Sequence, residues 1–319
     1  MSVPVSSTRS ASALQRTIYF LRLGRPLHLI GGFIFHALGI SVALYTGASL
    51  TWSAAVWCQI AITATQLMTH YSNDYFDQDA DAATLLPTRW ASGSRILPKG
   101  LLKPRAALIG ALVCGGVALA ATAVLVTISR GPLQSLALLL LSIGLAWTYS
   151  SPPLWLNRHG LGEVTATVLV PGLTTLLGFQ VQAGQVELLP VLAAVPLCCF
   201  QWVMLFSVNL PDVVGDAMVN KRTLVVIIGP RRAGQLFVAA LALAYLLLPL
   251  LVRLGLPAPV ALALLPTLPL AAWQSWRIHR GAATDPAQWD ALGFWSIGLL
   301  LAAAVLETAV FLALAAGAL

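Results

Sequence analysis

Long apolar runs separated by short polar segments set the pattern of this chain. Residues 106–129, 188–211, 233–252 and 254–276 contain no Asp, Glu, Lys or Arg. Each reaches the roughly 20 residues that a helix needs to cross a bilayer. Residues 26–73 are equally free of these charges and are long enough for two such helices, with a break at Gly47-Ala48-Ser49. Further runs fit 133–150, 161–180 and 291–315. The pattern predicts an all-α, polytopic membrane protein with about nine transmembrane helices. The first 26 residues differ. Arg9, Arg16, Arg22 and Arg25 are spread through them, with no short apolar core ending at a small-residue cleavage site, so they read as a polar tail. Residues 13–24 fit an interfacial amphipathic helix. The expected division is a tail at 1–26 and one membrane domain at 27–319.

Composition agrees with this reading. Of the 319 residues 58% are hydrophobic and 9% are charged, against about 25% charged in a typical soluble domain. Cys58, Cys114, Cys198 and Cys199 all fall in expected spans without metal-site spacing, and read as small core residues.

Charge then adds an orientation. With nine spans, the tail and the loops near 75–105, 151–160, 212–232 and 277–290 share one side. They hold sixteen of the eighteen Lys and Arg; only Arg130 and Arg253 fall on the other. The positive-inside rule places the basic side in the cytoplasm, as in a bacterial-type inner membrane. Anionic lipid headgroups account for part of this charge. No Lys/Arg run with interleaved aromatics suggests nucleic acid, and no obligatory protein partner is evident.

The acids stand out against this background. Of eleven, four lie within Asn73-Asp74-Tyr75-Phe76-Asp77-Gln78-Asp79-Ala80-Asp81 and two in Asp212-Val213-Val214-Gly215-Asp216. Both groups sit at the basic end of an expected span. At about 100° per residue, Asn73, Asp77 and Asp81 fall within roughly 80° of one another, as do Asp212, Asp216 and Asn220. Like charges four residues apart disfavour a helix, and ionisable groups in a membrane are costly, so each stripe calls for a cationic partner. Magnesium fits, because it takes oxygen ligands and shares its shell with substrate phosphates. Asp74, Asp79 and Glu187 read instead as helix ends near water. Glu307, deep in the last span, reads as a hydrogen-bonded or protonated core residue.

A positive set follows the acids: Arg95 and Lys99 after the first group, Lys221 and Arg222 after the second, and Arg158 in an intervening loop. Guanidinium forks suit phosphate oxygens and Lys supplies a point charge. Carboxylates, magnesium and basic groups around one cavity make a diphosphate clamp; ordinary salt bridges among the same acids and bases are the alternative, which the spacing of the acids argues against.

These residues resemble the UbiA superfamily of intramembrane prenyltransferases. Asn73-Asp74-Tyr75-Phe76-Asp77 with Asp81 resembles its first aspartate-rich motif. Asp212 and Asp216, followed by Asn220-Lys221-Arg222-Thr223-Leu224, resemble the second. Arg25-Pro26, Tyr149-Ser150-Ser151-Pro152-Pro153 and Gly160-Leu161-Gly162-Glu163 are similar to family features too. Ser92-Gly93-Ser94-Arg95 with Gly160–Glu163 looks most like the 1,4-dihydroxy-2-naphthoate branch, which makes menaquinone precursors. The resemblance implies helices around a central cavity, a cytoplasmic cap, and lateral access from the bilayer.

It also implies a mechanism. Asn73, Asp77, Asp81, Asp212 and Asp216 are expected to hold magnesium against a polyprenyl diphosphate. Arg25, Arg95, Lys99, Arg158, Lys221 and Arg222 are expected to bind the substrate, and Tyr149 either to face the allylic cation or to sit in an interfacial belt. An aromatic carbon then takes the prenyl group. Acceptors left open are dihydroxynaphthoate, 4-hydroxybenzoate, homogentisate, chlorophyllide, haem and a glycerol-phosphate lipid. A membrane terpene cyclase uses the same cation without an acceptor. A cation-coupled transporter would place its acids nearer the bilayer midplane.

Overall fold

The computed structural model describes residues 12–318; Arg9 of the expected tail lies outside the described residues. Sixteen α-helices follow one another: α1 Ala13–Leu23, α2 Ile30–Tyr45, α3 Trp52–Phe76, α4 Gln78–Ala83, α5 Pro104–Ile128, α6 Pro132–Ser150, α7 Gly162–Thr167, α8 Thr174–Ala183, α9 Leu188–Asn209, α10 Val213–Met218, α11 Leu224–Ile228, α12 Pro230–Leu246, α13 Leu248–Arg253, α14 Ala258–Ala263, α15 Leu268–His279 and α16 Pro286–Ala315. The all-α expectation holds. A π-helical turn at Val168–Leu173 joins α7 to α8 into one rod. Pro171 in that turn has no N–H to give an α-helical ladder.

Seven helices among the described residues are long and apolar enough to cross a membrane, so the chain is a multi-pass integral membrane protein. The second of the two spans expected within 26–73, and the run at 254–276, are helical but fall outside those seven. Gln59, Thr63, Gln66, His70 and Asn73 make α3 too polar, and the run at 254–276 is broken between α14 and α15 around Pro266.

Burial follows the apolar faces. The largest core joins α2, α9, α12 and α16 through Phe35, Phe200, Phe206, Phe237 and Phe311. A second joins α3, α5, α6 and α8 through Cys58, Leu125, Leu139 and Leu177. Without a hydrophobic drive inside lipid, close packing of small residues holds such rods together. Gly39 of α2 faces the Thr175 carbonyl and Gly178 of α8 faces the His36 carbonyl; a Cβ at either would overlap the opposing backbone.

Loop contacts divide the bundle into two ends. At one, Arg130 donates to the Gln182 carbonyl (3.1 Å) and to Ser49 Oγ (2.6 Å), gathering the loops after α2, α5 and α8. At the other, the Arg222 amide donates to the Arg158 carbonyl (3.2 Å) and the Arg89 amide to Asp290 (2.9 Å). This second end carries both acid motifs and the basic loops, so the alternation read from charge is realised in contacts.

One expectation for the core changes. Glu307 on α16 is fully buried, and neither carboxylate oxygen has a hydrogen-bond partner among the described residues. Of the two expected readings, hydrogen-bonded or protonated, the first is not realised among the described residues.

Candidate active site

The first acid motif straddles the end of α3. Asp77 caps that helix, and the turn continues into α4 through the Asp81 amide, which donates to the Asp77 carbonyl (2.9 Å). Asn73 and Asp77 share a face: Asn73 Nδ2 donates to Asp77 Oδ2 (2.8 Å) and to Ser150 Oγ (2.9 Å). Asn157 Nδ2 reaches the same Asp77 oxygen (2.6 Å). Arg158 Nη2 donates to the Phe76 carbonyl (2.7 Å) and lies 3.3 Å from Asp77 Oδ1. A buried carboxylate is thus surrounded by donors from two segments of chain, which its burial requires.

The second motif meets the first across α10. Gly215 allows the approach: a Cβ there would lie 2.7 Å from the Thr84 amide nitrogen. Asp212 accepts from Thr84 Oγ1 (3.0 Å), the Ser92 amide (3.2 Å) and Ser92 Oγ (2.5 Å). Lys221 joins the motifs, its Nζ lying 3.2 Å from Asp77 Oδ2 and 3.3 Å from Asp216 Oδ1. Burial alone would lower the Lys221 pKa; the carboxylates of Asp77, Asp216, Asp212 and Asp81 outweigh it and hold the amine above its ordinary value.

Asp81 is buried and its Oδ2 has no partner among the described residues. Desolvation, helped by the Asp74 charge and opposed by Arg25 and Lys221, pushes its pKa up to about 7. Gly93 covers it so closely that any Cβ would overlap the carboxylate. Such an oxygen wants a cation.

Asp74 departs from expectation. It is buried, pairs with Arg25 and accepts from Ser94 Oγ. Arg25 Nη2 also donates to Asn73 Oδ1 (3.1 Å). Asp74 therefore ties the entry of α2 to the loop after α4, because the turn at Arg25 folds back over α3. Asp79 is exposed, as expected.

The structure sorts the remaining expected residues. Tyr149 is half-buried beside Gly162, within electrostatic reach of Glu163, Lys221, Asp77 and Arg25. That places it beside the acid cluster. Arg95 points its guanidinium at the carbonyls of Asp81 (2.6 Å) and Thr84 (3.3 Å), bracing the loop. Lys99 lies exposed on a turn, and Arg222 is exposed with its amide held by Arg158; neither makes an ion pair with the cluster among the described residues. Asn220 leaves the expected stripe. The helix ends at Met218, and Asn220 adopts φ +56°, which turns Lys221 back onto the acids. Arg25, Ser92 and Arg95 also have positive φ. Such backbone strain concentrates at functional sites.

Asn157, Thr84 and Glu163 complete the site. Glu163 accepts from Asn209 Nδ2 (2.9 Å) and from the Leu224 amide (3.1 Å), anchoring α7 to the second motif. Among the described residues no three carboxylate, His or Cys side chains converge closely enough to enclose a metal ion. Lys221 lies between Asp77 and Asp216. The donor set is nevertheless one of hard oxygens with an unsatisfied carboxylate, which suits magnesium.

The chain is similar to known proteins. Residues 33–298 match the model of the UbiA prenyltransferase family. The chain is 31% identical over 249 residues to a digeranylgeranylglyceryl phosphate synthase of Natronomonas pharaonis, covering 77% of this chain and 81% of that one. It is 26% identical over 246 residues to a 1,4-dihydroxy-2-naphthoate octaprenyltransferase of Bacillus subtilis, covering 75% of each. A UbiA homolog from Archaeoglobus fulgidus, solved bound to DMAPP and Mg2+, superposes with a TM-score of 0.63 at 16% identity, over 90% of this chain and 98% of that one. With both aspartate motifs folded into one cleft and the family model covering most of its length, the chain belongs to the UbiA prenyltransferase family.

Proposed function

We propose that the protein transfers a prenyl group from a polyprenyl diphosphate, in a magnesium-dependent reaction, to an aromatic acceptor of the dihydroxynaphthoate type at the cytoplasmic end of the bundle. One observation carries this reading: Asp77, Asp81, Asp212 and Asp216 are gathered into one cluster with Arg25, Arg158 and Lys221, although they come from distant parts of the chain.

Asn73, Asp77, Asp81, Asp212 and Asp216 would hold magnesium. Bound there, it would act as Lewis acid and template for the diphosphate. The chain's own groups do the rest. Lys221 and Arg158, now paired with Asp77, are placed to turn toward the diphosphate oxygens. Cations already fixed where negative charge develops lower the barrier without reorganisation. Ser92, Ser94 and Arg95 hold the cap loop over the cleft, which keeps water from the allylic cation. Tyr149 offers its ring to that cation. An apolar groove of about 520 Å3 along α9 and α12, lined by Cys198, Cys199, Trp202, Phe206 and Leu243, supports lateral housing for the prenyl tail.

A glycerol-phosphate lipid acceptor is the second reading, favoured by the 31% identity to the archaeal lipid synthase. Purified protein incubated with prenyl diphosphates of several lengths, magnesium and both acceptor classes would separate the readings by product mass. Turnover is expected to vanish in EDTA and to fall about 10²–10³-fold in Asp77→Ala and Asp212→Ala. Full turnover in EDTA would overturn the magnesium assignment.

A further inference from the structure

The face of α3 that meets α2 carries polar side chains beyond the diphosphate site. At about 100° per residue, Gln59, Thr63, Gln66, His70, Asn73 and Asp77 fall in one stripe roughly 80° wide. All but Asp77 are partly accessible, while Cys58, Ala61, Ile62, Thr65 and Met68 beside them are buried. A polar stripe on a membrane helix faces an interior cavity, since hydrocarbon would strand its hydrogen-bonding groups.

His70 is the chemically distinctive member. Its Nδ1 lies 2.7 Å from the Gly24 carbonyl. A carbonyl only accepts, so Nδ1 carries the hydrogen, and a neutral ring then presents Nε2 as a bare lone pair. Nε2 has no hydrogen bond among the described residues. Asn73 stands one helical turn above, with the Arg25 guanidinium on its side-chain oxygen. The His28 ring meets the His70 ring edge to face at 6.0 Å between centroids, and is itself exposed. One turn below, Gln66 Oε1 is buried without a partner, facing Gly32.

Prenyl transfer leaves a proton to be placed. The allylic C–O bond breaks with its electron pair on the diphosphate. The acceptor's nucleophilic carbon or oxygen bonds to the prenyl C1, and the hydrogen on that atom, or on a phenolic oxygen conjugated to it, must depart as a proton. Of the nearby carboxylates, Asp74 is engaged by Arg25, Asp77 and Asp216 by Lys221, and Asp212 by Ser92 and Thr84, while Asp81, whose Oδ2 is unpartnered among the described residues, is assigned to magnesium. From the fixed tautomer and the stripe, we infer that His70 Nε2 accepts the acceptor's proton and that Gln66 Oε1 receives a hydroxyl hydrogen bond that orients the acceptor beside it. This rests on the proposed prenyl transfer, and holds for an aromatic or an alcohol acceptor.

The test compares wild type, His70→Gln and His70→Ala. Gln keeps a donor for the Gly24 carbonyl but is no base. Magnesium-dependent binding of prenyl diphosphate, read by calorimetry, is expected to stay unchanged in both variants. Turnover is expected to fall about 10²–10⁴-fold. Added imidazoles are expected to restore His70→Ala, faster as their pKa rises, a trend that filling a hole would not produce. His70→Gln turning over within about threefold of wild type, loss of diphosphate binding in the variants, or no rescue would each overturn the inference. Wild type transferring to no acceptor would overturn the proposed function and this inference with it, whereas normal turnover by wild type and His70→Gln alike would overturn the inference alone.

Discussion

Asp81 and Asp77 lie four residues apart yet have opposite surroundings. Asp77 is encircled by Asn73, Asn157, Arg158 and Lys221, whereas Asp81 Oδ2 is buried without a partner. The pKa of Asp81, pushed up to about 7, has a sign that can be worked out. A carboxyl whose folded pKa is raised above its unfolded value binds a proton preferentially in the fold. The metal-free protein is therefore stabilised as pH falls from about 7 toward the ordinary carboxylate range, and loses that stabilisation as pH rises through 7. Magnesium needs the ionised form, so it competes with that proton. The magnesium concentration for half-maximal activity is expected to rise about tenfold per pH unit below 7, and Asp81→Asn to flatten the dependence; titrations at three pH values check both.

At the scale of elements, the site depends on α4 and α10 touching. Both are short, and neither would hold its shape as an isolated helix in water. They stay because α10 leans on the chain at Ala83–Thr84 where Gly215 has no side chain, and because Asp212 is clamped by Ser92 and Thr84. Gly215→Val would force the helices apart. The expected cost is about 1–3 kcal/mol of stability, as for other overpacked sites, with activity falling further than stability. Thermal unfolding in detergent and turnover by the same preparation measure the two. The helix α1 is bolted on by similar means: Phe20 stacks on Tyr71 at 4.9 Å, and Tyr71 donates to the Phe20 carbonyl (3.3 Å). Leu14, Ile18 and Leu21 remain exposed on it.

The whole molecule has a chemical end and a plain end. Asn73, Asp212, Lys221 and the cap loop are at one; Ser49, Arg130 and Gln182 meet at the other. If the first is cytoplasmic, Lys99→Cys is expected to react with an impermeant maleimide only after cells are permeabilised, and Val186→Cys before; both positions are exposed. The reverse pattern would invert the orientation drawn from charge. Most of the spans, the two ends and the acid groups Asn73–Asp81 and Asp212–Asp216 were legible from the chain alone, because helix periodicity, apolar length and loop charge are local properties; the full count of nine spans and the place of Asn220 in a stripe were not. Asn73 with Asp77 needed only a four-residue spacing. The partners were not legible. Lys221 lies 144 positions from Asp77, and Arg25 joins Asp74 across 49. Nothing in the sequence singled out Asn157 or Thr84, and Lys99 and Arg222 looked like site cations. Composition and periodicity determined that acids and bases gather at one membrane face. Only tertiary packing decided which of them meet, since burying a carboxylate selects, among all nearby donors, those the folded backbone can bring within hydrogen-bond reach.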